Sequence, residues 1–136
     1  MVTEHPHRIG YVDTLNHLTH ADAVVVLGST EPHYTPSKIF QGALSRRPVL
    51  AVLHEASTAV AMVRQARAGR VVSFADGTLP EVEEICRTID ATVTGPFDPD
   101  AVDWTIFDDQ SARRSSQLLA EAMDLALARL LGRPLR

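Results

Sequence analysis

Two unbroken apolar runs constrain this chain more than any other feature. Ala23-Val24-Val25-Val26-Leu27 and Pro48-Val49-Leu50-Ala51-Val52-Leu53 contain no polar residue. A strand with one wet face alternates apolar and polar side chains. A strand that is apolar throughout expects cover on both faces, the usual state of a strand in a parallel sheet. Parallel neighbours need a crossover, and the residues between the runs supply one. Thr35-Pro36 predicts a helix start, with a hydroxyl N-cap and proline at the first helical position, where a missing N–H costs nothing. Ile39, Phe40, Ala43 and Leu44 share one face of that helix, and Arg46 and Arg47 suit its C-terminal dipole near its expected end.

The same alternation extends in both directions. Arg8 to Asp13 reads as a short strand, followed by a helical stretch from Thr14 to His20 with Leu15 and Leu18 on one side. Ser57 is placed to cap a helix reaching about Ala68, with Gly69 at its stop. Arg70 to Phe74 reads as a strand. Thr78-Leu79-Pro80-Glu81 has the spacing of a capping box, opening a helix with Val82, Ile85, Cys86 and Ile89 inward. Residues 94–110 read as a loop with a short turn near Trp104 to Phe107. Ala112 to Leu131 reads as a long helix with Leu119, Met123, Ala126, Leu127 and Leu130 as its stripe, ended by Gly132 and Pro134. The expected fold is α/β: one Rossmann-like three-layer sandwich over residues 1–136, with about four parallel strands and helices on both faces.

Composition narrows the function classes. The 136 residues match one ordinary domain. A net charge of −4 provides no basic footprint for nucleic acid. The single cysteine, Cys86, rules out an internal disulfide and a cysteine-rich zinc site, and its helical spacing reads as a buried thiol. No apolar run reaches membrane-spanning length, and the first residues lack a signal core. The expectation is a cytoplasmic protein, with peripheral membrane attachment left open.

Ligands of parallel sheets bind at the carboxyl ends of the strands, and the segment from Gly28 to Lys38 falls there. Ser37 and Lys38 lie in the first turn of the expected helix, so their amides can face an anion. Lys38 is the one lysine among 13 basic residues. Its ammonium can meet a phosphate as a point charge, and the Ser37 hydroxyl adds a donor. There is neither a G-x-G-x-x-G nor a G-x-x-x-x-G-K pattern, which weighs against dinucleotide oxidoreductases and P-loop NTPases.

The residues His-Ala-Asp-Ala-Val-Val-Val-Leu-Gly-Ser (20–29) and Tyr-Thr-Pro-Ser-Lys-Ile-Phe-Gln-Gly-Ala-Leu-Ser-Arg-Arg-Pro-Val-Leu-Ala-Val (34–52) resemble the donor half of GT-B glycosyltransferases of the retaining "group 1" type. Gly10-Tyr11-Val12 resembles the strand that precedes it. The likeness covers roughly residues 8–75, and its most specific block runs from Ser37-Lys38 to Pro48-Val49. The resemblance implies that amides near Tyr34, Thr35, Ser37 and Lys38 hold the sugar and diphosphate of a nucleotide-sugar. It places Tyr11 and Val12 by the base. Gln41 stands where the family carries a glutamate for the ribose hydroxyls; an amide oxygen accepts more weakly than a carboxylate. His33 stands at the family's other acidic position, with Glu31 close enough to substitute.

The family's basic pair that clamps the donor diphosphate comes from an earlier strand and loop, and its acceptor domain is a separate domain; neither is found here. The resemblance therefore implies the C-terminal part of a two-domain enzyme, inactive as this chain alone, with an open sheet edge suited to self-association. It implies no metal and no cofactor beyond the donor itself, no nucleic-acid partner, and an acceptor domain in cis or in trans. The competing expectations are a subunit of a split enzyme and a non-catalytic nucleotide- or protein-binding module. A receiver-like or flavodoxin-like domain ranks last, because the acidic cluster or flavin loop it needs is missing.

Other residue groups read more plainly. His5 with His7 and His17 with His20 are expected as surface pairs. His54 and Glu55 end the Pro48–Leu53 strand on the same side as the proposed site. Asp98, Asp100, Asp103, Asp108 and Asp109 lack the spacing of a calcium loop. Trp104 and Phe107 are expected to anchor the loop, and Arg113-Arg114 fall at the unfavourable end of the last helix for cations.

Overall fold

The computed structural model describes residues 3, 4 and 6–131. His5, Gly132 and Pro134 lie outside the described residues. The chain divides into two compact units between Asp103 and Trp104.

The first unit is α/β. Its elements are α1 (Tyr11–His20), β1 (Val24–Leu27), α2 (Lys38–Leu44), β2 (Val49–His54), α3 (Thr58–Ala66), β3 (Gly69–Phe74) and α4 (Val82–Thr94), followed by a 3-10 turn at Pro99–Ala101. The strands form a three-stranded sheet in the order β1-β2-β3, and both pairings are parallel. Val24 faces Val49 and Leu27 faces Val52 in one pair; Val49 faces Gly69 and His54 faces Phe74 in the other. Helices flank the sheet: α2 packs on β1 and β2, α3 on β2 and β3, and α4 on β3.

The core sits between the sheet and α2–α3. Val26, Ile39, Val49, Ala51, Leu53, Ala59 and Val63 are buried together, with Leu18, Phe40 and Val71 packed partly against them. β2 is buried along nearly its whole length, as its apolar run requires. Gly42 lets α2 lie close on the sheet. A Cβ there would come within 3.3 Å of Val49 Cγ2 and 3.4 Å of Val26 Cγ2.

Three features depart from the sequence-based expectations. The sheet has three strands rather than about four: of the segment expected as a strand from Arg8 to Asp13, Arg8, Ile9 and Gly10 lie outside any helix or strand and Tyr11 to Asp13 open α1. A strand there would need a neighbour for its N–H and C=O groups, whereas a helix satisfies its own. The helix starts at Gly10, whose carbonyl accepts from the Thr14 amide at 3.0 Å. Tyr11 and Val12 thus lie on a helix, and Val12 is 76% exposed.

Secondly, β1 is not covered on both faces: Val24 and Val26 are buried, but Val25 is 58% and Leu27 69% exposed. The alternation follows from the two faces of the strand: Val24 and Val26 point into the core beside α2, and Val25 and Leu27 point away from it. Thirdly, α4 turns a different face inward. Cys86 is exposed rather than buried, as are Val82 and Ile89, and the buried residue of this helix is Thr92. Thr78 does not cap α4 with its side chain; it exchanges two backbone hydrogen bonds with Ala75 around Gly77, and α4 begins after Glu81.

In the second unit, α5 (Thr105–Asp108) precedes α6 (Ala112–Leu130). Ser111 caps α6, its hydroxyl accepting from the Arg114 amide at 3.1 Å. Trp104 and Phe107 pack ring to ring with centroids 6.1 Å apart. Leu119, Met123, Leu127 and Leu130 of the α6 stripe are exposed.

Candidate functional site

β1 and β2 end on the same side of the sheet, and the segment from Gly28 to Ser37 runs across that edge. Gly28 permits its exit. The Gly28 amide donates to Val52 O at 2.8 Å, and a Cβ at this position would lie 2.8 Å from Leu53 Cδ2. Further on, Tyr34 N–H donates to Glu31 O at 3.1 Å, closing a turn that holds Glu31 and His33 exposed.

The loop is then fastened to the start of α3. The Ser57 hydroxyl donates to Tyr34 O at 2.8 Å, and the Thr35 and Thr58 hydroxyls lie 2.7 Å apart. These two contacts explain why neither expected cap forms. Ser57 occupies the N-cap position of α3 but makes no side-chain cap bond, and Thr35 is engaged away from α2. The α3 N-terminus therefore meets the loop without a side-chain cap and with no acidic residue in its first turn.

α2 begins at Lys38 with Ser37 at its N-cap, two residues later than Thr35-Pro36 predicts. Pro36 is fully buried. The Ile39 amide donates to Pro36 O at 3.0 Å and the Phe40 amide to Ser37 O at 3.3 Å, a tight entry to a helix of 7 residues. A helix this short carries a small dipole, so attraction for an anion rests on individual groups rather than on the macrodipole. Those groups are present: Ser37 and Lys38 are exposed, and among the described residues neither amide has a backbone acceptor.

Tyr11 and Gln41 line one groove of about 260 Å³ between α1 and α2, together with Leu15, Leu18, Leu44 and Ser45. Val12 is not among its walls. The two residues expected by the base and the ribose are thus brought together from elements far apart in the sequence. The groove is mainly apolar, which suits a ring system and leaves few competing polar partners for the Gln41 amide.

His54 closes the carboxyl end of β2 and is 6% exposed. Its Nδ1 accepts from the Ala56 amide at 3.2 Å, which places the ring proton of the neutral form on Nε2. Nε2 is buried and has no hydrogen-bond partner among the described residues. Its nearest charged neighbour is Asp76 Oδ1 at 3.4 Å, within ion-pair range but beyond a well-formed hydrogen bond. The ring stands edge-on to Phe74 with centroids 5.7 Å apart. Buried polar nitrogens are nearly always paired, so this one marks His54 as a group with unused donor capacity at the same sheet edge. Nothing in the sequence singles out Asp76, which reaches His54 only through the pairing of β2 with β3. Among the described residues no group of three or more His, Cys, Asp or Glu side chains could hold a metal ion, and no helix is long and apolar enough to cross a membrane.

No family model, curated protein or solved structure matches this chain.

Proposed function

We propose that this chain is the donor-binding part of a glycosyltransferase, a Rossmann-like half that holds the nucleoside diphosphate end of a nucleotide-sugar. The acceptor is carried by a domain supplied in cis or in trans. One observation carries the reading: the exposed Ser37-Lys38 pair presents two unpartnered amides, a hydroxyl and an ammonium at the carboxyl edge of a parallel sheet. A diphosphate would take those donors. The neighbouring start of α3 adds a cluster of amides of favourable sign. Tyr11 and Gln41 would take the nucleoside in the α1–α2 groove, and His33 or Glu31 the sugar hydroxyls. Diphosphate departure gathers negative charge on the leaving oxygen, and fixed donors aimed at that charge lower the barrier. No residue is assigned to proton transfer or to a covalent step, and turnover waits on the acceptor domain.

Calorimetry with uridine, guanosine and adenosine diphosphates tests the assignment. A charge-assisted hydrogen bond is worth about 1.5–3 kcal/mol, so Lys38→Ala should weaken the best of the three by about ten-fold or more. An unchanged dissociation constant would remove Lys38 from the site. Binding of none of the three would remove the donor reading altogether.

A second reading, a non-catalytic nucleotide-binding module, is favoured by Gln41. A neutral amide in a mostly apolar groove holds a nucleoside less firmly than a carboxylate would. Turnover of a nucleotide-sugar by the chain together with an acceptor-domain partner separates the two. The exposed outer edge of β1 favours a partner there, either the remainder of the enzyme or a second copy.

A further inference from the structure

The opposite edge of the sheet, where β2 and β3 begin, holds a cavity of about 310 Å³. Three arginines line it: Arg64 from the last turn of α3, Arg67 from its C-cap, and Arg70 from the start of β3. Pro48, Pro96 and Phe97 supply an apolar wall. Among the described residues no carboxylate lines the cavity. Two acids close by in the sequence have partners of their own. Asp100 pairs with Arg46, and Asp98 Oδ1 accepts from the Asp100 amide. The Asp103 amide donates to Ala66 O at 2.9 Å, and Asp103 is not a lining residue. Among the described residues none of the three arginines is in an ion pair.

Helix ends account for only part of this charge. α3 and α4 both finish at the cavity, and each C-terminus carries roughly half a negative unit. Together they offset about one of the three guanidinium charges, leaving about two without a counter-charge. That excess stands out in a chain whose net charge is −4. The backbone is shaped around it as well. Arg70 lies along Gly95, where a Cβ would come 3.1 Å from Nη2. Arg67 holds a left-handed conformation, φ 56, at a position glycine would normally take.

We propose that this cavity is a second binding site, specific for a phosphate monoester with an apolar or aromatic body. A dianionic phosphoryl group matches the uncompensated charge, and guanidinium forks match its oxygens. The body of the ligand lies against Phe97 and the two prolines. The site is independent of the nucleotide reading, because it sits at the other end of the strands, about 20 Å away for strands of this length.

Calorimetry and the arginine Nε–Hε resonances of the full chain test this, with inorganic phosphate, phenyl phosphate and benzenesulfonate as probes. Phenyl phosphate should bind most tightly and shift the resonances of Arg64, Arg67 and Arg70. The double variant Arg64→Gln/Arg67→Gly should lose about ten-fold or more of that affinity. It should still melt cooperatively, since Arg64 is an exposed helical residue and glycine suits the conformation at 67. Inorganic phosphate binding as tightly as phenyl phosphate would overturn the ester assignment. Benzenesulfonate binding equally well would overturn the dianion argument. Wild-type affinity in the double variant, or no shift of the Arg64, Arg67 and Arg70 resonances, would overturn the site itself.

Discussion

Gly69 and Gly77 give a paired test of how tightly β3 is set against β2. Gly69 opens β3 opposite Val49 in the parallel register. A methyl group there would lie 2.5 Å from Val49 N and 2.6 Å from Val49 C, and closer still to the carbonyl oxygen. These are backbone atoms of a fully buried residue, so no side chain can swing away to make room. The strands must separate at their first pair, and the Val49 amide bond to Ala68 O, 3.0 Å long, is strained with them. Gly77 is the control. Its φ is +72, but an added Cβ meets nothing within 4 Å, so its substitution costs only the left-handed conformation. That cost is about 1–2 kcal/mol. Overpacking costs about 1–3 kcal/mol and occasionally more, and backbone atoms that cannot move aside put Gly69 at the upper end, a large share of the roughly 5–15 kcal/mol that holds an ordinary domain. Urea unfolding followed by circular dichroism should therefore place Gly69→Ala well below Gly77→Ala in stability, with native-like slopes for both. Equal midpoints would refute the close approach of Gly69 to Val49.

Other outcomes follow from single residues. Arg67→Gly removes a left-handed non-glycine residue and should raise stability by about 0.5–1 kcal/mol, read as a higher urea midpoint; a lower midpoint would mean that the arginine stem contributes more packing than its conformation costs. His54→Asn keeps an acceptor near the Ala56 amide and deletes Nε2, so it should leave the unfolding free energy within about 1 kcal/mol of wild type while weakening nucleotide-sugar binding in a titration. Normal binding would assign His54 to the fold alone. Val25→Lys places a charge on the exposed face of β1 and should reduce any self-association seen by sedimentation; an unchanged distribution would place the contact elsewhere.

The sequence made β2 legible because six successive apolar residues admit few solutions other than a covered strand. It could not distinguish β1 from β2. Val25 and Leu27 are as apolar as their buried neighbours, but they alternate onto the face of β1 away from the core that covers Val24 and Val26. Gly10-Tyr11-Val12 carried too short a pattern to separate strand from helix, and the residues from Tyr11 on run continuously into the helical stretch that follows. The cap of α2 was misplaced for a related reason. Thr35 has the right chemistry, but Thr58, from α3, engages its hydroxyl first. Tyr11 and Gln41 share a groove that the family pattern placed at one site, whereas the Asp76 approach to His54 and the arginine cavity arise from tertiary contacts with no local signature.

The two hydroxyl fasteners between the loop and α3 set an energy scale for motion at this edge. At about 1 kcal/mol net each, Ser57–Tyr34 and Thr35–Thr58 together hold the loop down by about 2 kcal/mol, so a released form would be populated at a few per cent. Opening of that kind leaves Pro36 and Ile39 seated and disturbs no strand pairing. Amides from Glu31 to Thr35 should therefore exchange with deuterium far sooner than those of β2, and a ligand bridging the loop to α3 should slow them selectively.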